Sequence, residues 1–319
     1  MILTMHASFY FFQDLILNMI PEKLRKDLEH QQYRMSGHHS AVKLCSWTKA
    51  SLRDEGVCYK ERFYGVKSHR CLQMTPNITC DQNCMFCWRV IEKTKLLLDK
   101  DIDEPKDIIR GCIENQRLLL TGFKGFKGTN PRKFREAQDP TNAAISLLGE
   151  PLLYPKLSGL LEEFHKMGMT TFLVTNSQHP DILERLEEPT QLYISVDAPD
   201  RETYLRLDRP SNKDFWERLL KSLDTMRSFS CRKVLRLTMV KGFNMKNPEG
   251  YAKLIERASP DFVELKAYMH VGESQKRLPR SAMPLHPDVK AFAENVSELS
   301  GYKYKDEQKP SRVVLLSKK

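Results

Sequence analysis

The sequence predicts an α/β protein: an incomplete (β/α)6, TIM-like barrel with N-terminal and C-terminal extensions. Three observations carry that expectation. From about residue 70, short apolar runs alternate with segments of helical periodicity, the pattern of parallel βαβ units. The runs are almost continuously apolar, as strands covered on both faces are. No G-x-G-x-x-G follows the first run, so a barrel-like winding is preferred over an open doubly wound sheet.

The candidate strands are RCLQMT (70–75), AAISLL (143–148), TTFLVT (170–175), QLYISV (191–196), KVLRLTMV (233–240) and DFVELKA (261–267). Between them, a helix over 105–121 places Ile109, Cys112, Ile113, Gln116 and Leu120 on one face. A second helix over 211–229 opens at Ser211 with Asp214 three residues on, close to a capping box. After SELSGYKY, the run SRVVLLS (311–317) reads as one more strand. The chain divides into a polar N-terminal extension (1–69), a barrel core (70–270) and a C-terminal extension (271–319).

At 319 residues the chain can bury a full core, and 40% hydrophobic with 29% charged residues excludes wholesale disorder. The excess of 51 Lys and Arg over 41 Asp and Glu favours a polyanionic partner. The opening MILTMHASFYFFQDLILNMI is apolar, yet it lacks a basic start and contains Asp14. It reads as an N-terminal extension or helix, neither an export signal nor a membrane span. A cytoplasmic monomer is expected, with reduced cysteines available for metals.

Directly after the first strand comes TCDQNCMFC (79–87), with Cys80, Cys84 and Cys87 spaced C-x3-C-x2-C. A structural zinc site pairs two such units to reach four ligands. An iron–sulfur cube accepts three thiolates and leaves one iron open. The zinc knuckle stands as the alternative. The triplet, with Phe86 just before its last cysteine, resembles the radical S-adenosylmethionine superfamily. There the open iron binds the cofactor's amino and carboxylate groups. LLGEPLLYP (147–155), at the end of the second strand, resembles that superfamily's Gly-Gly-Glu-Pro motif with Leu148 at the first glycine. The resemblance implies a contact to the methionine amino group through Gly149 or Glu150; taken alone, G-E-P is an ordinary turn.

Cys45, Cys58 and Cys71 are spaced C-x12-C-x12-C. Either they are unrelated buried thiols, or they hold a second three-ligand cluster. Cys45 and Cys58 lie in segments rich in charge and glycine, which favours the cluster. Cys112, on an apolar helix face, and Cys231, in a loop, read as structural.

The full order C-x12-C-x12-C-x8-C-x3-C-x2-C, with CYKERFYG (58–65) and TPNITCDQNCMFCWR (75–89), is similar to the tRNA 4-demethylwyosine synthase family over roughly residues 20–310. The chain has no room for the flavodoxin-like domain of eukaryotic members and resembles the short archaeal form. That likeness implies a radical condensation of two pyruvate carbons with N1-methylguanosine beside the anticodon of phenylalanine tRNA. Hydrogen abstraction from an unactivated methyl group is beyond any side-chain base, and a 5′-deoxyadenosyl radical supplies it. By the family pattern, Cys80, Cys84 and Cys87 hold the radical-generating [4Fe-4S] cluster. Cys45, Cys58 and Cys71 hold an auxiliary [4Fe-4S] cluster whose open iron can bind pyruvate. Lys60, two residues after Cys58, becomes a candidate for a Schiff base with the pyruvate keto group. An electron donor of ferredoxin or flavodoxin type is implied too.

Further candidates sit at strand ends: Asn176, Ser195, Asp197, Arg236, Thr238 and Lys266. Charged groups inside parallel strands are costly unless paired or facing a site, so Arg236, Lys266 and Asp197 are either cofactor or substrate contacts or a buried salt bridge. Segment 122–135, GFKGFKGTNPRKFR, carries Lys124, Lys127, Arg132, Lys133 and Arg135, no acid and three phenylalanines. Such a mixture can follow phosphate and stack bases, and it is expected above the barrel mouth. The target base must leave its stack to react. Two rivals remain at this level. One is a two-cluster radical enzyme maturing a peptide or protein, and the other a zinc-stabilised RNA-binding protein without redox chemistry.

Overall fold

The computed structural model describes residues 20–90 and 101–318; the apolar opening stretch lies outside them. Helix α1 (Glu22–His30) buries Leu24 and Leu28, one turn apart. A hairpin of β1 (Arg34–Ser36) and β2 (Ser40–Val42) follows, then two short helices, α2 (Ser46–Leu52) and α3 (Tyr59–Tyr64). The first parallel strand is β3 (Cys71–Thr75), followed by α4 (Pro105–Leu120), α5 (Pro131–Ala137) and β4 (Asn142–Ile145). Regular alternation continues through α6 (Leu157–Lys166), β5 (Thr170–Thr175), α7 (Pro180–Leu183) and β6 (Gln191–Ser195). Next are α8 (Arg201–Asp208), α9 (Phe215–Met226), β7 (Arg232–Met239), α10 (Pro248–Ala258) and β8 (Phe262–Ala267). The chain closes with α11 (His286–Ser300), β9 (Lys303–Gln308) and β10 (Val313–Ser317).

All strands join one sheet in the order β1-β2-β3-β4-β5-β6-β7-β8-β10-β9. Strands β3 to β8 are parallel and strictly sequential, the winding of a partial (β/α)6 barrel. A doubly wound sheet would reverse its order. The N-terminal hairpin and the β9–β10 pair extend the parallel block antiparallel at its two ends.

Side-chain alternation gives the strands two different faces. Leu72, Ala143, Leu173, Ile194, Leu235 and Leu265 belong to one large core with the covering helices. The opposite face holds a small aromatic group, Phe172, Tyr193 and Phe262 with Val174 and Val234, among polar side chains. Helix α4 matches its predicted span, with Pro105 at its first turn and Ile109, Cys112, Gln116 and Leu120 buried. Ile113 packs at the margin of the core. The predicted opening of the next long helix at Ser211 does not form: α9 starts at Phe215 with Asp214 as N-cap and no side-chain cap bond. Ser211 instead donates its backbone N–H to Asp81, 2.9 Å away.

His39, at the β1–β2 turn, is 3% exposed. Its Nδ1 lies 2.6 Å from the Pro76 carbonyl, and its Nε2 accepts the Asp103 backbone N–H at 3.0 Å. These partners assign the neutral Nδ1–H tautomer. Burial lowers its pKa, with Asp103 and the Pro76 carbonyl acting in the opposite sense. His39 therefore contributes stability that is complete above the ordinary imidazole value of about 6.5 and is lost as pH falls through the lowered folded value. Thermal stability is expected to decline on acidification from about pH 7 to about pH 5, and His39→Gln to flatten that decline. Equal slopes in the two proteins would contradict this.

Candidate functional site

Cys80, Cys84 and Cys87 lie on the loop leaving the C-terminal end of β3, where parallel α/β proteins place their chemistry. The loop is held from several sides. Met85 donates its N–H to Leu207 at 2.8 Å and Asn83 donates to Asp208 at 3.2 Å. Arg277 donates to the carbonyls of Met85, at 3.3 Å, and Cys87. All three thiols are free and half-buried. Burial pushes the Cys80 and Cys84 thiols well up, and the carboxylates of Asp81 and Asp208 push the same way. Neutral thiols crowded by carboxylates are poor nucleophiles, whereas a bound metal deprotonates them outright. Phe86 packs with Leu207, Val240, Tyr268 and Leu278 beside the loop.

At the end of β4, Gly149 has φ +74°, and a Cβ there would stand 2.5 Å from the Asn77 carbonyl and 2.6 Å from that of Thr79. Only glycine fits. Glu150 donates its backbone N–H to Thr79 at 2.7 Å, tying the strand end to the residue before Cys80. Its buried carboxylate accepts from Leu152 N (3.0 Å), Thr175 Oγ1 (2.7 Å) and Asn176 N (2.7 Å). The Glu150 carboxylate is thus held by its own chain and fixes the position of the Asn176 backbone. The Asn176 side chain lies 3.9 Å from Cys80 Sγ and donates to Asp81 at 2.7 Å. His179, 3.0 Å from the other Asp81 oxygen, completes a polar wall that the sequence reading missed.

The second triplet lies toward the opposite end of the strands. Cys45 precedes α2, Cys58 precedes α3, and Cys71 opens β3. Burial pushes Cys58 and Cys71 up to about 12; the charge of Cys45 pushes both the same way, and that of Cys58 also raises Cys71. Lys60 enters the same space, its Nζ 5.0 Å from the Phe172 ring centre and 4.7 Å from that of Tyr193. Burial lowers its pKa. Glu264, fully buried on β8, accepts from Tyr64 at 2.7 Å and from Tyr193 at 3.2 Å. Its own signal was in the sequence: a carboxylate inside an apolar strand, the argument that singled out Lys266.

Asn142 Oδ1, Gln191 Nε2 and Glu264 Oε2 are buried polar atoms without partners on this inner face. Orphaned atoms of this kind beside three thiols fit a bound group. Among the described residues no three Cys, His, Asp or Glu side chains are gathered tightly enough for one metal ion; a four-iron cube spaces its sulfur ligands wider than a single ion does.

Asp197 and Arg236 do not form the buried salt bridge held open above. Asp197 accepts the Thr238 backbone N–H at 2.6 Å, and burial raises it to about 6. Arg236 reaches Ser195 Oγ at 3.4 Å. Lys266 has its pKa lowered by burial and by Arg236. The inner face thus carries Lys60, Arg236 and Lys266 against Glu264 and Asp197.

The basic segment is not above the Cys80–Cys87 loop. Helix α4 returns the chain to the N-terminal ends of the strands, and the segment sits there: Lys133 pairs with Asp54 at 2.7 Å, and Asp139 accepts from Arg70 at 2.9 Å, just ahead of β3. Nor are all three of its phenylalanines free for stacking. Phe123 and Phe134 pack against Leu44, Leu52 and Leu120, leaving Phe126, 56% exposed. Lys124, Lys127, Arg132 and Arg135 are exposed.

Residues 130–255 match the family model for the radical SAM superfamily, and residues 257–318 match that for wyosine base formation. The S-adenosyl-L-methionine-dependent tRNA 4-demethylwyosine synthase of Pyrococcus horikoshii is 50% identical over 304 residues, covering 93% of this chain and 89% of that one. The corresponding enzyme of Methanocaldococcus jannaschii is 41% identical over 305 residues, covering 93% and 96%. A solved structure of TYW1 with a lysine–pyruvate adduct bound superposes with a TM-score of 0.86 at 39% identity, over 94% of this chain and 97% of that one. Sequential winding with a three-thiol loop after the first parallel strand defines a radical S-adenosylmethionine enzyme, a class that uses that cofactor and a [4Fe-4S] cluster. Within that class, the chain belongs to the tRNA 4-demethylwyosine synthase family. The peptide-maturing and zinc-protein alternatives fall with that finding.

Proposed function

We propose that this chain joins two carbons of pyruvate to N1-methylguanosine beside the anticodon of phenylalanine tRNA, forming 4-demethylwyosine, and that Lys60 holds the pyruvate. The observation that carries this reading is buried Lys60 over the rings of Phe172 and Tyr193, where it feels the charges of Cys58, Glu264 and Cys71. The relative's structure with a lysine–pyruvate adduct supports it. With its pKa lowered by burial, the amine is more readily neutral and nucleophilic. Nζ attacks the keto carbon, the C–N bond forms, and the keto oxygen leaves as water. Arg236 and Lys266 face the same space and match a carboxylate.

Cys80, Cys84 and Cys87 would hold the [4Fe-4S] cluster that, with S-adenosylmethionine, supplies hydrogen-abstracting radical chemistry when bound. Cys45, Cys58 and Cys71 would hold an auxiliary cluster. The backbone near Gly149, with Asn176, Ser195, Asp197 and Phe86, would line the cofactor's space. Glu150 acts through Asn176 as a positioning residue. Lys124, Lys127, Arg132, Lys133 and Arg135 would meet RNA phosphates; the methylguanine must leave its stack to reach the inner face. A ferredoxin- or flavodoxin-type donor, a monomer and a cytoplasmic setting complete the reading. Among the described residues no helix is long and apolar enough to cross a membrane.

The test is an anaerobic reaction of reconstituted protein with S-adenosylmethionine, reductant, carbon-labelled pyruvate and tRNA bearing N1-methylguanosine. Two labelled carbons in a tricyclic base are expected. Consumption of S-adenosylmethionine with no label in the RNA would sink the pyruvate reading.

A further inference from the structure

A groove of about 710 Å³ runs over the N-terminal region, lined by Lys26, His30, Arg34, Lys49 and Arg53 against one carboxylate, Glu29. Gly122 and Phe123 form its far wall, so it is continuous with the exposed lysines Lys124 and Lys127. We propose that this groove binds the RNA phosphate backbone of the anticodon stem, making one cationic track with segment 122–135. The proposal rests on the tRNA reading above.

Two features carry it. The first is charge complementarity: four permanent cations line one concave surface. Those with partners hold exposed ones, Lys26 with Glu22 at 2.6 Å, Arg53 with Glu55 at 2.5 Å, and Lys49 with Gln32 at 2.5 Å. Exposed pairs of this kind contribute little and exchange readily for phosphate. The second is position. Leu44 and Lys49 follow β2, which runs antiparallel to β3, and Phe123 follows α4, so this part of the groove lies toward the N-terminal ends of the strands. Arg34 pairs with Val42 and Val42 with Met74, so the groove runs along the outer flank of β3 from the level of Met74 toward the start of the strand.

The experiment measures binding of a tRNA transcript as a function of salt, with hydroxyl-radical footprinting. Wild type is compared with the variant Lys26→Ala/Arg34→Ala/Lys49→Ala/Arg53→Ala. Loss of four phosphate contacts should lower the slope of log affinity against log salt by about three to four. Affinity near 0.15 M salt should fall at least about tenfold. Protection should vanish from stem phosphates and persist in the loop. Arg34→Lys/Arg53→Lys should retain binding, and unchanged circular dichroism and iron content would exclude misfolding. An unchanged slope and footprint would overturn the groove assignment while leaving the tRNA reading intact. Unchanged RNA binding with impaired reduction by an acidic flavodoxin would overturn it in favour of a protein partner. Wild type that does not bind the transcript at all would instead overturn the tRNA reading.

Discussion

Lys60→Ala is expected to abolish tricyclic-base formation, with a loss of more than about 10³-fold, the scale seen when a catalytic nucleophile is removed. Lys60→Arg should fail equally, since a guanidinium does not form an imine with a ketone. The direct readout is borohydride trapping: wild type incubated with labelled pyruvate should acquire a stable label on Lys60, and neither variant should. The reason is positional. Lys60 stands over the rings of Phe172 and Tyr193, and burial lowers its pKa, which favours the neutral amine that a keto acid requires. Label on another lysine, or full activity in Lys60→Ala, would move the substrate site elsewhere.

Gly149→Ala is expected to be costly for a single added methyl group. An alanine at φ +74° costs about 1–2 kcal/mol in backbone strain alone, and the added carbon would stand 2.5–2.6 Å from the carbonyls of Asn77 and Thr79. These are backbone atoms, held by the Glu150 N–H to Thr79 bond of 2.7 Å, so they yield only by shifting the segment that leads into Cys80. A total loss of about 2–4 kcal/mol follows, together with weaker iron retention by the Cys80–Cys87 loop. Chemical denaturation and iron analysis of the purified variant check both. A variant as stable as wild type with full iron would show that the strand end does not brace the loop.

Much of this was legible in the residues, and what was not has physical causes. Apolar runs marked β5 at both ends and β3 to within one residue, because parallel strands covered by helices are apolar throughout. The β1–β2 hairpin was missed because strands of three residues leave no periodicity to read. Both cysteine triplets announced themselves by spacing. Glu264 did not, although its carboxylate in DFVELKA broke the same rule as the lysine two residues on. The basic segment was placed at the wrong end of the barrel. A helix following a parallel strand must carry the chain back to the strands' N-terminal ends, so an insertion between α4 and β4 belongs there. Which phenylalanines face solvent depended on the apolar pocket formed by Leu44 and Leu52, tertiary information that no local pattern holds.

The central claim is that the two triplets hold two separate clusters, and the most direct measurement is iron and sulfide content with electron paramagnetic resonance of anaerobically reconstituted protein. Wild type should hold about eight irons. Cys45→Ala/Cys58→Ala/Cys71→Ala should hold about four, with the signal still perturbed by S-adenosylmethionine. Four irons in both proteins would remove the auxiliary cluster and leave the radical site standing, and zinc without iron would contradict the account altogether.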